Sequence, residues 1–423
     1  MRASALALRF AMFASWLVLQ SGCKGEGGAG AAPTESAASS ASAAASASPL
    51  AALAADASAP LTVEALDAAL VALASCTVDD RRIEQRCPAY QSFVEARRHP
   101  PAERDPGAMF AKIGANHLAD PSPAVRLAAV ELIGARADPT TLARVIAAAR
   151  KEQTQGVKLA MLRVVGQRPN ASPEVSKLLL ELANAPEPLV RMEAMGYLLA
   201  PAMSGAASAF EVVLDKVDHD PSLEVRKYLC TRLYRSGDER AMGVFEKYLK
   251  DAAAPPELHD GCLRGLFSAW TGYPAPEKPL ERAYALTLAM LRATPRSATR
   301  PPWSALSLLR AARTDFPPTD RASSAWYEKV KGWYRPRALV SALAAVATDK
   351  RAHSLARMSA LDVMKALGAT PADFKAVLAK YARAEGDDLR VKHRAELLAR
   401  PSKSRAPAAR PLARPPQRGA PPR

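Results

Sequence analysis

An apolar residue followed by a base recurs through the chain as Val125-Arg126, Val157-Lys158, Val190-Arg191 and Val225-Arg226, at spacings of 32, 33 and 35 residues. Two further copies, Ala356-Arg357 and Val391-Lys392, lie 35 apart near the C-terminus. A period of this length belongs to units that cannot bury a core alone and must stack on their neighbours. It predicts an array, and a 423-residue chain is long enough to be one without forming a single compact core. Hydrophobic residues make up 49% and aromatics 6%, with Ala prominent. Such a composition favours close helix packing over sheet. The fold class expected is all-α, a solenoid of stacked antiparallel helix pairs.

The local pattern agrees with helices. Asp120-Pro121-Ser122-Pro123 places a capping residue and proline before a helix that buries Val125, Ala128, Ala129, Leu132 and Ile133 at helical spacing. The same offsets give Val157, Ala160, Met161, Val164 and Val165, then Val190, Ala194, Tyr197 and Leu198. Asp220-Pro221-Ser222 repeats the entry signal. Asp-Pro, then Val-Arg, then an Ala-rich apolar helix resembles the second helix of HEAT and HEAT-like repeats, over residues 105–240 and again over 350–400. The resemblance implies a superhelical scaffold that binds macromolecules. It also implies a ladder in which the bases Arg126, Lys158, Arg191, Arg226, Arg357 and Lys392 pair with the turn aspartates Asp120, Asp220 and Asp387. A cation in the first turns of a helix opposes the macrodipole, so these bases need such partners. The competing reading of the six bases is a basic stripe for an anionic ligand.

Residues 225–356 fit the period poorly. Their 131-residue span is close to four repeat lengths, and prolines accumulate between 274 and 318, so an irregular stretch is expected at 265–345. Residues 300–357 hold eleven bases against four acids and include Trp303, Trp326, Tyr327, Trp333 and Tyr334. Within them Trp326, Tyr327, Lys329, Lys331, Trp333, Tyr334, Arg335 and Arg337 interleave rings and cations, a composition that can stack on planar groups while holding anions. Trp326, Val330 and Trp333 also fall at i, i+4 and i+7, the spacing of a buried helix face.

The N-terminal segment reads as an export signal. Arg2 and Arg9 precede an apolar run from Phe10 to Leu19, too short to span a bilayer, and Ser21-Gly22-Cys23 follows. It resembles a bacterial lipoprotein signal peptide, which implies cleavage after Gly22 and acylation of Cys23, the palmitate-bearing position of the class. Gln20 departs from the aliphatic residue usual there, which leaves an ordinary cleaved signal as the alternative. Lys24 is not the inner-membrane retention aspartate, so the expected location is the outer membrane, facing the periplasm. The domain boundaries expected are 1–22 signal, 23–60 lipidated cysteine and Ala/Ser-rich disordered linker, 61–104 helical cap, 105–400 array and 401–423 disordered tail. That tail carries six bases and no acid.

Four cysteines remain beyond Cys23. Cys76 and Cys87 flank a short polar turn and form the preferred pair. Cys230 and Cys262 lie on helices of neighbouring repeats, either bonded or as two buried thiols. His219 between Asp218 and Asp220, with His259 and Asp260 a repeat later, gives only a faint metal signal, better read as helix-entry loops. There is no phosphate loop, H-E-x-x-H, G-x-S-x-G or paired-carboxylate constellation, and so no cofactor, metal or catalytic residue is assigned. Bilin lyases and alkylpurine DNA glycosylases use similar repeats catalytically, but none of their catalytic motifs can be placed here. The expectation is therefore a non-enzymatic scaffold for an envelope protein. The alternatives are a binder of anionic polymers such as lipopolysaccharide, peptidoglycan or acidic polysaccharide, and, after it, a lyase-type enzyme. Export argues against nucleic acid, and no small-molecule substrate is evident.

Overall fold

The structure, a computed structural model, describes residues 62–79, 81–98, 105–168, 171–200, 207–251, 253–271, 279–292, 303–314 and 321–400. The lipidation candidate Cys23, the linker and the basic tail lie outside the described residues. The N-terminal region of the described fold comprises α1 (Val63–Ala72), a two-residue antiparallel hairpin of β1 (Val78–Asp79) and β2 (Arg82–Ile83), and α2 (Pro88–Arg98). Cys76 and Cys87 are disulfide-bonded across that hairpin, with Cα atoms 5.7 Å apart. The sequence pattern showed the polar turn between them but not the strands, which are too short to carry an alternating pattern.

Helices then come in pairs. First helices are α3 (Pro106–Asn116), α5 (Pro139–Lys151), α7 (Pro173–Leu182), α9 (Ala207–His219) and α11 (Ala241–Lys250). Each is followed by its second helix: α4 (Pro123–Ile133), α6 (Gln155–Gly166), α8 (Pro188–Leu198), α10 (Leu223–Arg232) and α12 (Pro256–Ser268). Proline opens α3, α4, α5, α7, α8 and α12. Its missing N–H would have no intrahelical partner at that position. Asp105 and Asp138 cap α3 and α5 through their carboxylates.

Beyond α12 come α13 (Glu281–Arg292), the short α14 (Trp303–Leu306) continued by a 3₁₀ turn to Ala312, α15 (Arg321–Val330), α16 (Pro336–Thr348), α17 (Ser354–Ala366), α18 (Pro371–Ala379) and α19 (Asp387–Ala399). Contacts show that the rows run on through this stretch. The second-helix row continues α12–α14–α17–α19, and the first-helix row α11–α13–α16–α18. The expected four repeat lengths between Val225 and Ala356 are thus three steps. The surplus is spent on α15, inserted between α14 and α16, and on the segments around it.

Second helices approach one another through glycine. A Cβ on Gly265 of α12 would lie 2.2 Å from the carbonyl oxygen of Cys230 on α10, and one on Gly166 of α6 would lie 2.3 Å from the Tyr197 ring on α8. Only a residue without a side chain allows a neighbouring backbone or ring that close. The Cys230–Cys262 disulfide crosses the same α10–α12 contact, with Cα atoms 4.7 Å apart. Its loop, closed at a separation of 32 residues, restricts the unfolded chain by roughly 3 to 4 kcal/mol. Gly265→Ala is expected to destabilise by about 1 to 3 kcal/mol through overpacking. Gly243→Ala, at a helical position with open space around it, should be neutral or stabilising by up to about 1 kcal/mol. Urea unfolding of both variants decides it, and equal effects would remove the close-contact argument.

Candidate functional site: the second-helix face

Two tracks of charge run along the array, and only one is open to a ligand. The first lies at the helix entries. Arg126, at the start of α4, places Nε and Nη2 at 2.7 and 2.8 Å from the two carboxylate oxygens of Glu152, in the α5–α6 turn of the next pair. Its Nη1 donates to the carbonyls of Asp120 and Pro121. Lys158 reaches Glu187 at 3.3 Å, and Arg191 forks onto Asp220 at 2.8 Å on both arms while donating to the carbonyls of Ala185 and Pro186. Near the far end Arg357 pairs with Asp388 at 2.5 Å and donates to the Tyr381 hydroxyl. Arg126 and Arg191 therefore tie their own entry turns to the acid of the following pair, and Lys158 and Arg357 reach such an acid directly.

Asp220 is one of the acids expected, and the others differ. Asp120 does not pair with Arg126; its carboxylate accepts the Ser122 N–H and so shapes the helix entry. Asp387 accepts from Ser354 Oγ, and its neighbour Asp388 takes the arginine. Arg226 has no carboxylate partner among the described residues. It donates to the Val217 carbonyl and to the Tyr248 hydroxyl, which in turn donates to Asp218. Among the described residues Lys392 has no ion-pair partner either. The acids that serve sit four to six residues before the next base, a spacing visible in the sequence at Glu152, Glu187, Asp220 and Asp388. Burial opposes ionisation of Glu152, but its hydrogen bonds with Arg126 and the Thr154 N–H hold its carboxyl below the usual range.

The aromatic basic stretch turns two of its rings inward and its cations outward. Trp326 on α15 is 1% exposed, and its indole N–H donates to the Trp270 carbonyl at 2.6 Å. Tyr334 is buried, donates to the Ala312 carbonyl, and stacks at 5.6 Å on Trp326 and on Tyr284. Trp333 lies half-buried with its ring 5.5 Å from Tyr284. The cations are engaged too. Lys331 pairs with Glu328, Arg335 donates to the carbonyls of Lys331, Gly332 and Tyr334, and Arg337 pairs with Asp373 of α18. Tyr327 is half-buried and borders a shallow hollow with Thr314, Ser324 and Glu328, and Lys329 is exposed. Trp326 and Tyr334 thus belong to the core that fixes the inserted helix, whereas Lys329, Lys331, Arg335 and Arg337 stay at the surface beside it.

The histidines do not converge. His219 is exposed and paired with Asp215, His259 is buried with its pKa lowered by desolvation, and Asp218 and Asp220 serve Tyr248 and Arg191. No group of three metal-ligating side chains occurs among the described residues.

The second track is the face that the second helices leave open. α4 buries nearly every side chain but exposes Glu131; α6 does the same with Arg163. Arg97 of α2 stands 3.8 Å from Glu131, and Arg163 stands 3.9 Å from Glu193 of α8. Glu193 accepts the Tyr197 hydroxyl at 3.0 Å, and on α10 Arg232 lies over the Tyr228 ring at 4.6 Å. The strip resumes as Lys227–Asp260, Asp260–Arg264 and Arg310–Asp362–Arg394. Tyr197 rests on Gly166 and Tyr228 reaches over Gly196, so each ring is seated by a glycine of the preceding second helix.

Electrostatics mark this face as recessed. The Glu131 side chain is 39% exposed, yet the protein around it raises its carboxyl pKa against the opposing pull of Arg97 and Arg163. Desolvation by the surrounding protein disfavours the charged form even where a side chain still touches water. Burial also raises Tyr197, with Glu193 adding to the effect, and raises Tyr228 against Arg232 and Arg235. These phenols stay protonated across the physiological range and act as fixed donors beside guanidinium groups. That inventory recognises polar and aromatic groups; it contains no paired nucleophile and base. Sequence reading placed Tyr197 among the apolar positions and missed Glu131, Arg163, Glu193, Tyr228 and Arg232, because three- and four-residue spacing identifies a face but not which face stays open.

Stacked helix pairs joined by cross-repeat ion pairs define an α-solenoid repeat protein. Residues 115–200 match the family model of HEAT repeats. No curated protein matches the chain.

Proposed function

We propose that the protein is a lipid-anchored envelope scaffold, exported and acylated at Cys23, that binds another protein along the second-helix face. The observation that carries this is the open strip Glu131–Arg163–Glu193–Tyr197–Tyr228–Arg232. Its mixed charge and seated tyrosines suit a polar protein surface, since tyrosine and arginine are enriched among the anchoring residues of protein interfaces. The HEAT match supports a scaffold in place of a catalyst. The engagement of Lys331, Arg335 and Arg337 within the fold weakens the case for an anionic polymer. The Cys23 signal and the expected orientation toward the periplasm rest on sequence alone.

Photo-cross-linking residues at 163 and 228 test the reading in intact cells, with position 177 on α7 as the control. A discrete protein adduct at 163 and 228 but not at 177 is expected. Equal labelling at all three sites, or adducts only with polysaccharide, would overturn it. In the same strain Cys23→Ser should move the protein from the membrane to the soluble fraction; unchanged fractionation would remove the anchor.

A further inference from the structure

The ladder of entry-turn pairs ends on an open rung. Arg126, Lys158, Arg191 and Arg357 each reach an acid of the following helix pair, whereas Lys392 on α19 has no ion-pair partner among the described residues. The outward side of α19, opposite the buried Val391 and Ala395, carries Leu389, His393 and Leu397 at i, i+4 and i+8. Leu389 is 52% and Leu397 40% exposed, two of the four large apolar side chains exposed among the described residues. Terminal units of a solenoid ordinarily close the array with a polar outer face. At the other end α1 packs on α3 and α4 and on the disulfide-closed α2.

We propose that α19 is the interface of a two-fold dimer, occupied by α19 of a second copy lying antiparallel to it. In an antiparallel pair related by a two-fold axis, like flanks of the two helices meet. Lys392 and Glu396 occupy one flank of the Leu389–His393–Leu397 stripe, four residues apart. Antiparallel pairing about His393 therefore sets Lys392 of each copy beside Glu396 of the second copy, and Leu389 beside Leu397 of the second copy. The open rung is then filled by a carboxylate, as in the array itself, and the apolar stripe is covered. Glu396 is available for this, since the one ion-pair contact it makes among the described residues is with His393, at 4.0 Å on the surface. The basic segment 401–423 is a poor occupant, because its six bases come with no acidic side chain for Lys392.

Sedimentation velocity of the full chain in a mild non-ionic detergent reads the assembly. A dimer is expected, and Leu389→Asp with Leu397→Asp should make it a monomer with unchanged helical circular dichroism. Lys392→Glu alone and Glu396→Lys alone should each raise the dimer Kd about tenfold, and the two together should restore it, because the swap preserves the pairing. His393→Cys, near the axis, should give an interchain disulfide on oxidation. A monomeric native chain, a dimer indifferent to the leucine changes, or charge reversals not rescued by the swap would each overturn the proposal. Another protein held on α19 of a monomer would do so too.

Discussion

Replacing Arg191 with Ala is expected to destabilise the protein by about 3 to 5 kcal/mol, more than any other change in the ladder. The arginine side chain is 7% exposed and its partner Asp220 not at all. Without Arg191, Asp220 keeps only the Ser222 N–H as a donor and remains a buried charge, while the carbonyls of Ala185 and Pro186 lose theirs. Arg191→Lys should recover only a fraction of the loss, since an ammonium cannot fork onto both carboxylate oxygens and both carbonyls. Lys158→Ala, with a single contact to Glu187, should cost far less. Urea unfolding gives the magnitudes. Hydrogen exchange gives the location, because a quasi-one-dimensional array localises damage, so protection should fall in α8–α10 and persist in α17–α19. A loss under about 1 kcal/mol would mean that stacking rests on apolar contacts and that the rungs set register only.

Trp326→Ala is expected to cost about 3 to 5 kcal/mol as well, the value of a fully buried large aromatic. Trp326→Phe should cost about 1 to 2 kcal/mol, mainly the hydrogen bond and the Trp270 carbonyl left without it. Trp333→Ala, half-buried against Tyr284, should lie between that and a surface change. Were the rings a ligand platform, Trp326→Ala would remove binding at unchanged stability. Fluorescence-monitored unfolding alongside the cross-linking assay separates the two outcomes.

These cases show what could be read before any coordinates. The recurrence of Val-Arg pointed to the second helices and to the need for an acid near each base, because both are local consequences of helix geometry and of charge near a helix start. Choosing Glu152 over Asp120, or Asp388 over Asp387, depended on each base reaching forward to the next repeat, and Asp120 and Asp387 stand before a base at the same spacing as the acids that serve. Trp326 gave two consistent readings, and burial against Trp270 and Tyr334 chose one. Gly166 and Gly265 carried no legible signal, since a helical glycine shows its purpose only when the neighbouring helix is in place. The candidate strip was the least legible feature. Glu131 and Arg163 are the exposed positions on helices otherwise buried or half-buried, and nothing in their immediate sequence separates them from ordinary solvated positions.

The Cys230–Cys262 bond acquires a further meaning if the scaffold carries load between a tether and a partner. Helix pairs held by contacts alone come apart in succession when pulled end to end, each releasing its full contour. The two cysteines stand 32 positions apart, and the chain between them cannot lengthen. At roughly 3.5 Å per residue, the clasp withholds on the order of 110 Å of extension. The bond therefore acts as a stop within the spring: an extended molecule retains one covalently clasped turn from which neighbouring pairs can re-form when tension is released.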